Sequence, residues 1–518
     1  MRVFKTFWFV LALFSLAAAA LTLTATWRYG AGVSADAAKS MSTAESLLAG
    51  RGFFDHSGNP FVYWPPLYPL LLAGLSRLGG WDVFVVGWSV NLGLMAVNTF
   101  LGGALVYAAF RERPVYAYLG SVFVLGSEPA LRIHANVASD PLYITFSLIF
   151  LLAAIRYLQN RSWKALVIMV VCAALAMLQR WLGASLLAMG GVVVLAARWR
   201  NWRLLLRDWA WMGCSLLPVG GWVYFHNILR YQTFWGNDSP SLDVWMNLEY
   251  SLTKILHWFL PYHPRLEFIL FHPTIALGAI LLALLLIARK EEWTVWWRDV
   301  RRPEVFPTLF FLPLSLAGLA FTIVTGDHRD LYSDRYYVGL LAPVIVVLFL
   351  TLDDVILPRL RLETGKARLL TALLFAVWFM AYPAFSLSKY LSNCLAEGEA
   401  SPYNYYNNRF FRENPAVAEI QALARAHPQA TFYSNYADGM WFYTRKTAPL
   451  MPRLGGLTLE EFRAQFAGWP GEQEGYILWF LPNEFKHVAP PEWLAEVANL
   501  ELVYASERGL IYTVQSRP

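Results

Sequence analysis

The chain opens MRVFKTFWFVLALFSLAAAALTLTATWRYGAGVSADAAKSMSTAESLLAGRGF, residues 1–53. Its apolar run to about Thr26 has the length a helix needs to cross roughly 30 Å of hydrocarbon. Arg2 and Lys5 in front of that run resemble the start of a signal peptide, but the run is near spanning length, so it reads as an uncleaved first helix. The next segment is different in kind. After Asp36 comes AAKSMSTAESLLAG, in which Ala38, Met41, Leu47 and Leu48 form one weakly apolar face that Gly50 ends. That pattern predicts an interfacial helix lying on a membrane.

Working outward, the same alternation of long apolar blocks and short polar links continues for most of the 518 residues. Apolar side chains make up 57% and charged ones 15%, with a mean hydropathy of +0.40, more apolar surface than a soluble domain can bury. Lipid must be part of its solvent. The blocks place spans at about 6–26, 82–110, 114–129, 139–158, 163–179, 182–198, 208–229, 266–288, 306–325, 337–352 and 368–390, about eleven in all.

The net charge of +6 raises nucleic acid as a partner, and the placement of the basic residues excludes it. With the N-terminus inside, the inner segments are 1–6, 111–114, 156–165, 198–207, 289–305 and 353–368. Roughly one position in three there is basic, against roughly one in ten in the outer loops, the positive-inside asymmetry. Two large loops, 27–81 and 230–265, then face outward.

From about 392 spanning blocks give way to alternating helix-like and strand-like pieces. Pro415–His427 reads as a helix, and Thr458-Leu-Glu-Glu461 as a capping box opening another. Ala430–Ser434, Tyr476–Leu481, Leu500–Tyr504 and Leu510–Val514 read as strands. The expected architecture is thus a polytopic all-α membrane domain over 1–391 and a small extracytoplasmic α/β domain over 392–518. Cys172, Cys214 and Cys394 form no disulfide framework.

Ionisable groups near membrane depth are expensive, so those at the outer ends of spans are the candidate site. Asp36 faces the headgroup layer as a base or metal ligand, or else caps the following helix. Asp140, before Pro141, is a helix start or a second acid; if it converges with Asp36, the pair can hold a divalent cation or share base work. Tyr63 and Trp64 lead into the prolines of the next segment, as an interface anchor or the wall of a lipid groove. Arg329 and Arg335, with Tyr336, offer paired donors to a phosphate or make an ion-paired loop. Arg132, His134 and Arg180 are further outer-side cations, for headgroups or a ligand. His257, His263 and His272 lack zinc-site spacing, and there is neither a P-loop nor a GxSxG elbow.

The order of these features resembles the GT-C superfamily of membrane glycosyltransferases, above all bacterial relatives of protein O-mannosyltransferases and of the enzyme that puts aminoarabinose on lipid A. The resemblance rests on Asp36 in the first outer loop, LLAGRGF (47–53), PPLYPLLLAGL (65–75), SDPLY (139–143) and RYYVGLLAP (335–343). It implies a catalytic base or metal-associated carboxylate at Asp36 and a second active-site acid at Asp140. It also implies a sugar donor on a polyprenyl phosphate carrier and transfer on the outer face to a glycan, lipid or protein acceptor. Ala37 stands where the mannosyltransferases carry Glu, and Tyr63-Trp64 where the aminoarabinose enzymes carry Glu-Lys. A transporter or flippase of lipid-linked glycans would use the same buried acids as relays, and a non-catalytic envelope assembly protein would use the C-terminal domain to bind a partner. Inverted repeats, which favour transport, are not evident.

Overall fold

The computed structural model describes residues 2–111, 113–234, 254–256, 258–259, 279, 282–283, 286, 290–325, 333–359, 365–398, 400, 406–471, 475–482 and 487–517. Arg329, His257, His263 and His272, most of the loop 230–265 and nearly all of the expected span 266–288 lie outside the described residues. The chain divides into two compact units. One comprises Met1–Ala25, Val62–Leu67 and Ser89–Asn393; the other comprises Thr26–Phe61, Tyr68–Trp88 and Cys394–Pro518.

The first unit is helical. Among the described residues, Thr6–Ala25, Val83–Ala109, Asp140–Asn160, Trp181–Arg198 and Val338–Ile356 are long and apolar enough to cross a membrane. Val115–Leu125, Trp163–Gln179 and Phe306–Ala320 are shorter apolar helices, and Gly365–Glu397 is a longer one carrying Pro383. The chain is a membrane protein, but these lengths do not establish eleven crossings.

Two expected spans differ in a way local chemistry explains. At 114–129 the helix runs only Pro114–Leu125; a new short helix, Glu128–His134, begins where the Ser127 hydroxyl accepts from the Ala130 amide at 3.3 Å. At 208–229 no single helix forms. An amphipathic helix, Trp202–Gly213, is followed by Leu216–Trp222 and a π-helical turn, Val223–Ile228. Pro218 supplies no amide and its ring crowds the carbonyl four residues back, which breaks the run near Cys214.

Packing within this unit relies on small residues that let helices approach. A Cβ at Gly120 would lie 2.6 Å from Val106, and one at Gly183 would overlap the backbone of Ala176. Gly183 closes the tight turn Trp181–Gly183 that joins Trp163–Gln179 to Ala184–Arg198. Near the N-terminus Phe7 stacks on Tyr107 with ring centres 4.3 Å apart and meets Tyr118 edge-on.

The second unit contains a four-stranded sheet of β1 (Thr431–Ser434), β2 (Gly475–Phe480), β3 (Ala498–Ser506) and β4 (Gly509–Ser516) in the order β1-β2-β4-β3. β1 and β2 are parallel; β4 is antiparallel to both its neighbours. Phe462, Ile477, Leu494 and Val514 form the core on the sheet. Thr458 and Glu461 make the expected reciprocal capping box.

A division at 391/392 leaves 27–81 with the membrane part, whereas most of that loop groups with the C-terminal residues. The reason is a set of specific bonds. The Tyr406 amide donates to the Val33 carbonyl at 2.7 Å, the Asn407 side chain donates to the Tyr29 and Ala31 carbonyls, and Arg445 pairs with Glu45 at 3.1 Å. The helix Ala35–Leu48 buries Ala37, Ala38, Met41 and Ala44, while Leu48 is exposed. Of the expected apolar face, Ala38 and Met41 are buried, Leu47 is half-buried and Leu48 is exposed, and the burial extends instead over the alanine and serine side.

Candidate active site

In the second unit Asp36 is the second residue of the helix Ala35–Leu48. The cap role belongs to Ser34, whose hydroxyl accepts from the Ala37 amide at 3.2 Å. That leaves the Asp36 carboxylate at the positive end of a helix dipole. Lys39 lies one turn further along the same helix, the i, i+3 spacing that puts two side chains on one face.

Three further groups belong to the same electrostatic neighbourhood. Asp438, on the helix Ala437–Thr444, accepts from the Tyr406 hydroxyl at 3.1 Å and lies 3.3 Å from Nε2 of the buried His56. His56 is fixed from the other side, because its amide donates to the Ser42 hydroxyl at 3.0 Å and its carbonyl accepts from the Ala448 amide at 2.9 Å. Burial pushes the Asp438 carboxyl up to about 6, the charge of Asp36 adds to that, and Lys39 and the Tyr406 hydroxyl oppose it. Burial drives His56 down to about 4, so the ring is neutral at neutral pH. The Tyr406 phenol is held well above its ordinary value, first by burial and then by Asp438.

In the first unit Asp140 is the first residue of the helix Asp140–Asn160 and its carboxylate is ion-paired with Arg180. The adjoining Gln179 side chain donates to the Ser139 carbonyl at 2.8 Å, which ties the end of one helix to the start of the other and sets Arg180 against Asp140. Arg180 also lies over the Tyr336 ring at 5.2 Å. Arg335 approaches the same ring at 4.9 Å and donates to its hydroxyl at 2.8 Å. The structure thus brings together Asp140, Arg180, Arg335 and Tyr336, two guanidinium groups around one phenol with one balancing carboxylate. The Trp181 indole donates to the Tyr63 carbonyl at 3.0 Å, so the Tyr63-Trp64 turn adjoins this cluster. The Tyr63 and Trp64 rings are 6.0 Å apart.

Arg132 pairs with Glu128 and lies over the Tyr390 ring. His134 is fully enclosed, with Nδ1 donating to the Ala130 carbonyl at 2.7 Å and Nε2 accepting from the Asn98 side chain at 2.9 Å. Both of its ring nitrogens are therefore occupied by protein groups. A cavity of about 240 Å³ in this unit is lined by Glu128, Arg132, Lys254 and Asp334 together with aromatic residues.

Asp36 and Asp140 fall in different units. Among the described residues no group of three or more His, Cys, Asp or Glu is placed to hold a metal ion, and the Asp140 carboxylate is taken up by Arg180. Sequence reasoning missed His56, Asp438, Glu128 and Lys254 as site residues. His56 and Asp438 are separated by most of the chain, and each sits in an ordinary polar turn or helix start, so no local signal marks them.

Comparison with known protein families finds no match, and comparison with curated proteins finds none either. Solved structures do match from end to end. ArnT from Cupriavidus metallidurans in the apo state is similar with a TM-score of 0.53 and 16% identity over 98% of both chains. The same enzyme bound to undecaprenyl phosphate matches with a TM-score of 0.52 and 15% identity over 97% of both. The Archaeoglobus fulgidus oligosaccharyltransferase gives 0.54 with 10% identity, over 98% of this chain and 74% of that one. Identity this low speaks to the fold alone: this chain shares the fold of these solved structures.

Proposed function

We propose that the chain is a glycosyltransferase that moves a sugar from a polyprenyl phosphate carrier to an extracytoplasmic acceptor, whether glycan, lipid or protein. The observation that carries this reading is the end-to-end likeness to ArnT, including its complex with undecaprenyl phosphate, in a chain with its own paired guanidinium groups, Arg180 and Arg335, on Tyr336. The reaction side is the outer face of a bacterial plasma membrane, with about eleven crossings, an inside N-terminus and an outside C-terminal domain. The charge asymmetry of the loops supports that orientation.

In this mechanism Asp36 takes the proton from an acceptor hydroxyl as its oxygen attacks the anomeric carbon. The bond from that carbon to the carrier phosphate breaks with oxocarbenium character, and configuration inverts. The departing phosphate gathers negative charge as it leaves. Arg335 and Arg180 meet it with fork-shaped donors, held in place beforehand by Tyr336 and Asp140. Tyr63 and Trp64 form the neighbouring wall toward the lipid.

The test is transfer of radiolabelled sugar from a panel of polyprenyl-phosphate donors to a mixed envelope extract by the purified chain. Asp36→Asn should abolish transfer while preserving folding, and Arg335→Gln should weaken donor use. Full transfer by a folded Asp36→Asn protein would sink the assignment of the base. Failure of the wild type to turn over any donor would favour transport of the same lipid-linked glycans.

A further inference from the structure

The cavity of about 240 Å³ in the first unit carries charges of both signs. Arg132 and Lys254 contribute two cations, Glu128 and Asp334 two carboxylates, and Tyr382 with two serines adds hydroxyls. Trp258 forms part of the wall; it is only 5% exposed, and its indole N–H has no acceptor among the described residues. We propose that this cavity is a binding subsite for a single uncharged sugar ring, the glycosyl group of the donor. The inference rests on the glycosyltransferase reading above and assigns to it a place for the transferred group.

The balance of charges argues for a polyol. A phosphate entering here would meet Glu128 and Asp334 as well as the two cations, and like charges inside a partly enclosed site repel strongly. A sugar hydroxyl both donates and accepts. Arginine and lysine can only donate and ionised carboxylates can only accept, so a ring of hydroxyls satisfies both sets at once. Buried polar groups are normally hydrogen-bonded, and the Trp258 N–H wants an oxygen. Apolar ring faces pack on Trp258 and on the aromatic side chains beside it. The volume lies below the roughly 300–1,000 Å³ of pockets for drug-sized ligands, which suits one ring and not a chain of them.

The cavity is also tied to the cation cluster by one short element. In the 3-10 turn Asp334–Tyr336, Asp334 lines the cavity while the next two residues make the Arg335–Tyr336 pair that Arg180 joins. A sugar phosphate therefore finds hydroxyl partners and phosphate partners on consecutive residues. The bond to be broken would lie between them.

The experiment measures binding to the full-length protein in nanodiscs of bare polyprenyl phosphate and of polyprenyl-phosphoryl hexoses and pentoses. Wild type should bind at least one sugar-bearing donor about tenfold more tightly than the bare carrier. Asp334→Asn and Lys254→Met should each erase that preference and leave bare-carrier affinity within about twofold, whereas Arg335→Gln should weaken both ligands alike. Loss of bare-carrier affinity in Asp334→Asn, or a preserved sugar preference in both cavity variants, overturns the proposal. If the wild type binds no carrier at all, the glycosyltransferase reading fails, and water-soluble methyl glycosides then decide the cavity by saturation-transfer NMR. Signals that vanish in Asp334→Asn support a sugar subsite even then, and an absence of signals in the wild type overturns it.

Discussion

Replacing Arg180 with methionine keeps an unbranched apolar stem, removes the guanidinium and strands the Asp140 carboxylate. The Asp140 side chain is 5% exposed and that of Arg180 17%, so a stranded Asp140 carboxylate has little water to fall back on. Removing one partner of such a pair costs roughly 3–5 kcal/mol, most of it the penalty of an uncompensated buried charge. Loss of the cation–π contact with Tyr336 adds about 0.5–1 kcal/mol. Asp140→Asn removes the stranded charge, so R180M combined with D140N should be less destabilised than the sum of the single variants by roughly 2–3 kcal/mol. The assay is reversible unfolding in mixed SDS and mild-detergent micelles, followed by tryptophan fluorescence and read as a double-mutant cycle. Additivity within about 0.5 kcal/mol would refute the coupling and with it the claim that Asp140 exists to hold Arg180 in place.

The His56–Asp438 pair predicts opposing pH effects. Between its ordinary 6.5 and about 4, His56 binds fewer protons folded than unfolded, so acidification through that window destabilises the chain. Between about 6 and its ordinary 3.8, Asp438 binds more protons folded than unfolded, so the same acidification stabilises it. Relative to wild type, Asp438→Asn should therefore lose Tm faster below pH 6.5, and His56→Gln should lose it more slowly; thermal unfolding from pH 4 to 7 checks this, and matching profiles contradict it. Gly183→Ala should cost roughly 1–3 kcal/mol, since the added methyl meets the Ala176 backbone, which cannot swing aside as a side chain can. An unchanged Tm in that variant would show that the turn is looser than its geometry indicates. Asp208, fully buried and bonded to Tyr157 at 2.6 Å and Arg198 at 3.1 Å, should tolerate Asn poorly, with a loss of about 3 kcal/mol in the same micelle assay.

Much of the helical framework is legible in the sequence because a spanning helix satisfies its own backbone and needs only enough consecutive apolar residues. Thr6–Ala25, Val83–Ala109 and Asp140–Asn160 all fall where hydropathy puts them. The reading fails at 208–229, where apolar composition continues through Pro218 and the helix breaks just before it. The four strands are legible for a similar reason, since each is a short β-branched and aromatic run bounded by turn residues. The buried face of Ala35–Leu48 is legible only at Ala38 and Met41, because alanine and serine are weak hydrophobic signals and their burial depends on which surface meets them.

Residue by residue, then, the sequence alone determined which segments require lipid, where the basic residues concentrate, and that acids and arginines collect at the ends of particular helices. Those properties depend on composition and short-range periodicity. Tertiary structure alone decided that Arg180 pairs with Asp140 and shares the Tyr336 ring with Arg335, that Ser34 relieves Asp36 of capping, and that Asp438 meets His56. Each of those contacts joins residues whose approach is set by helix packing or by long-range backbone bonds, and side-chain charge and hydrogen bonding act only over the few ångströms that such packing creates.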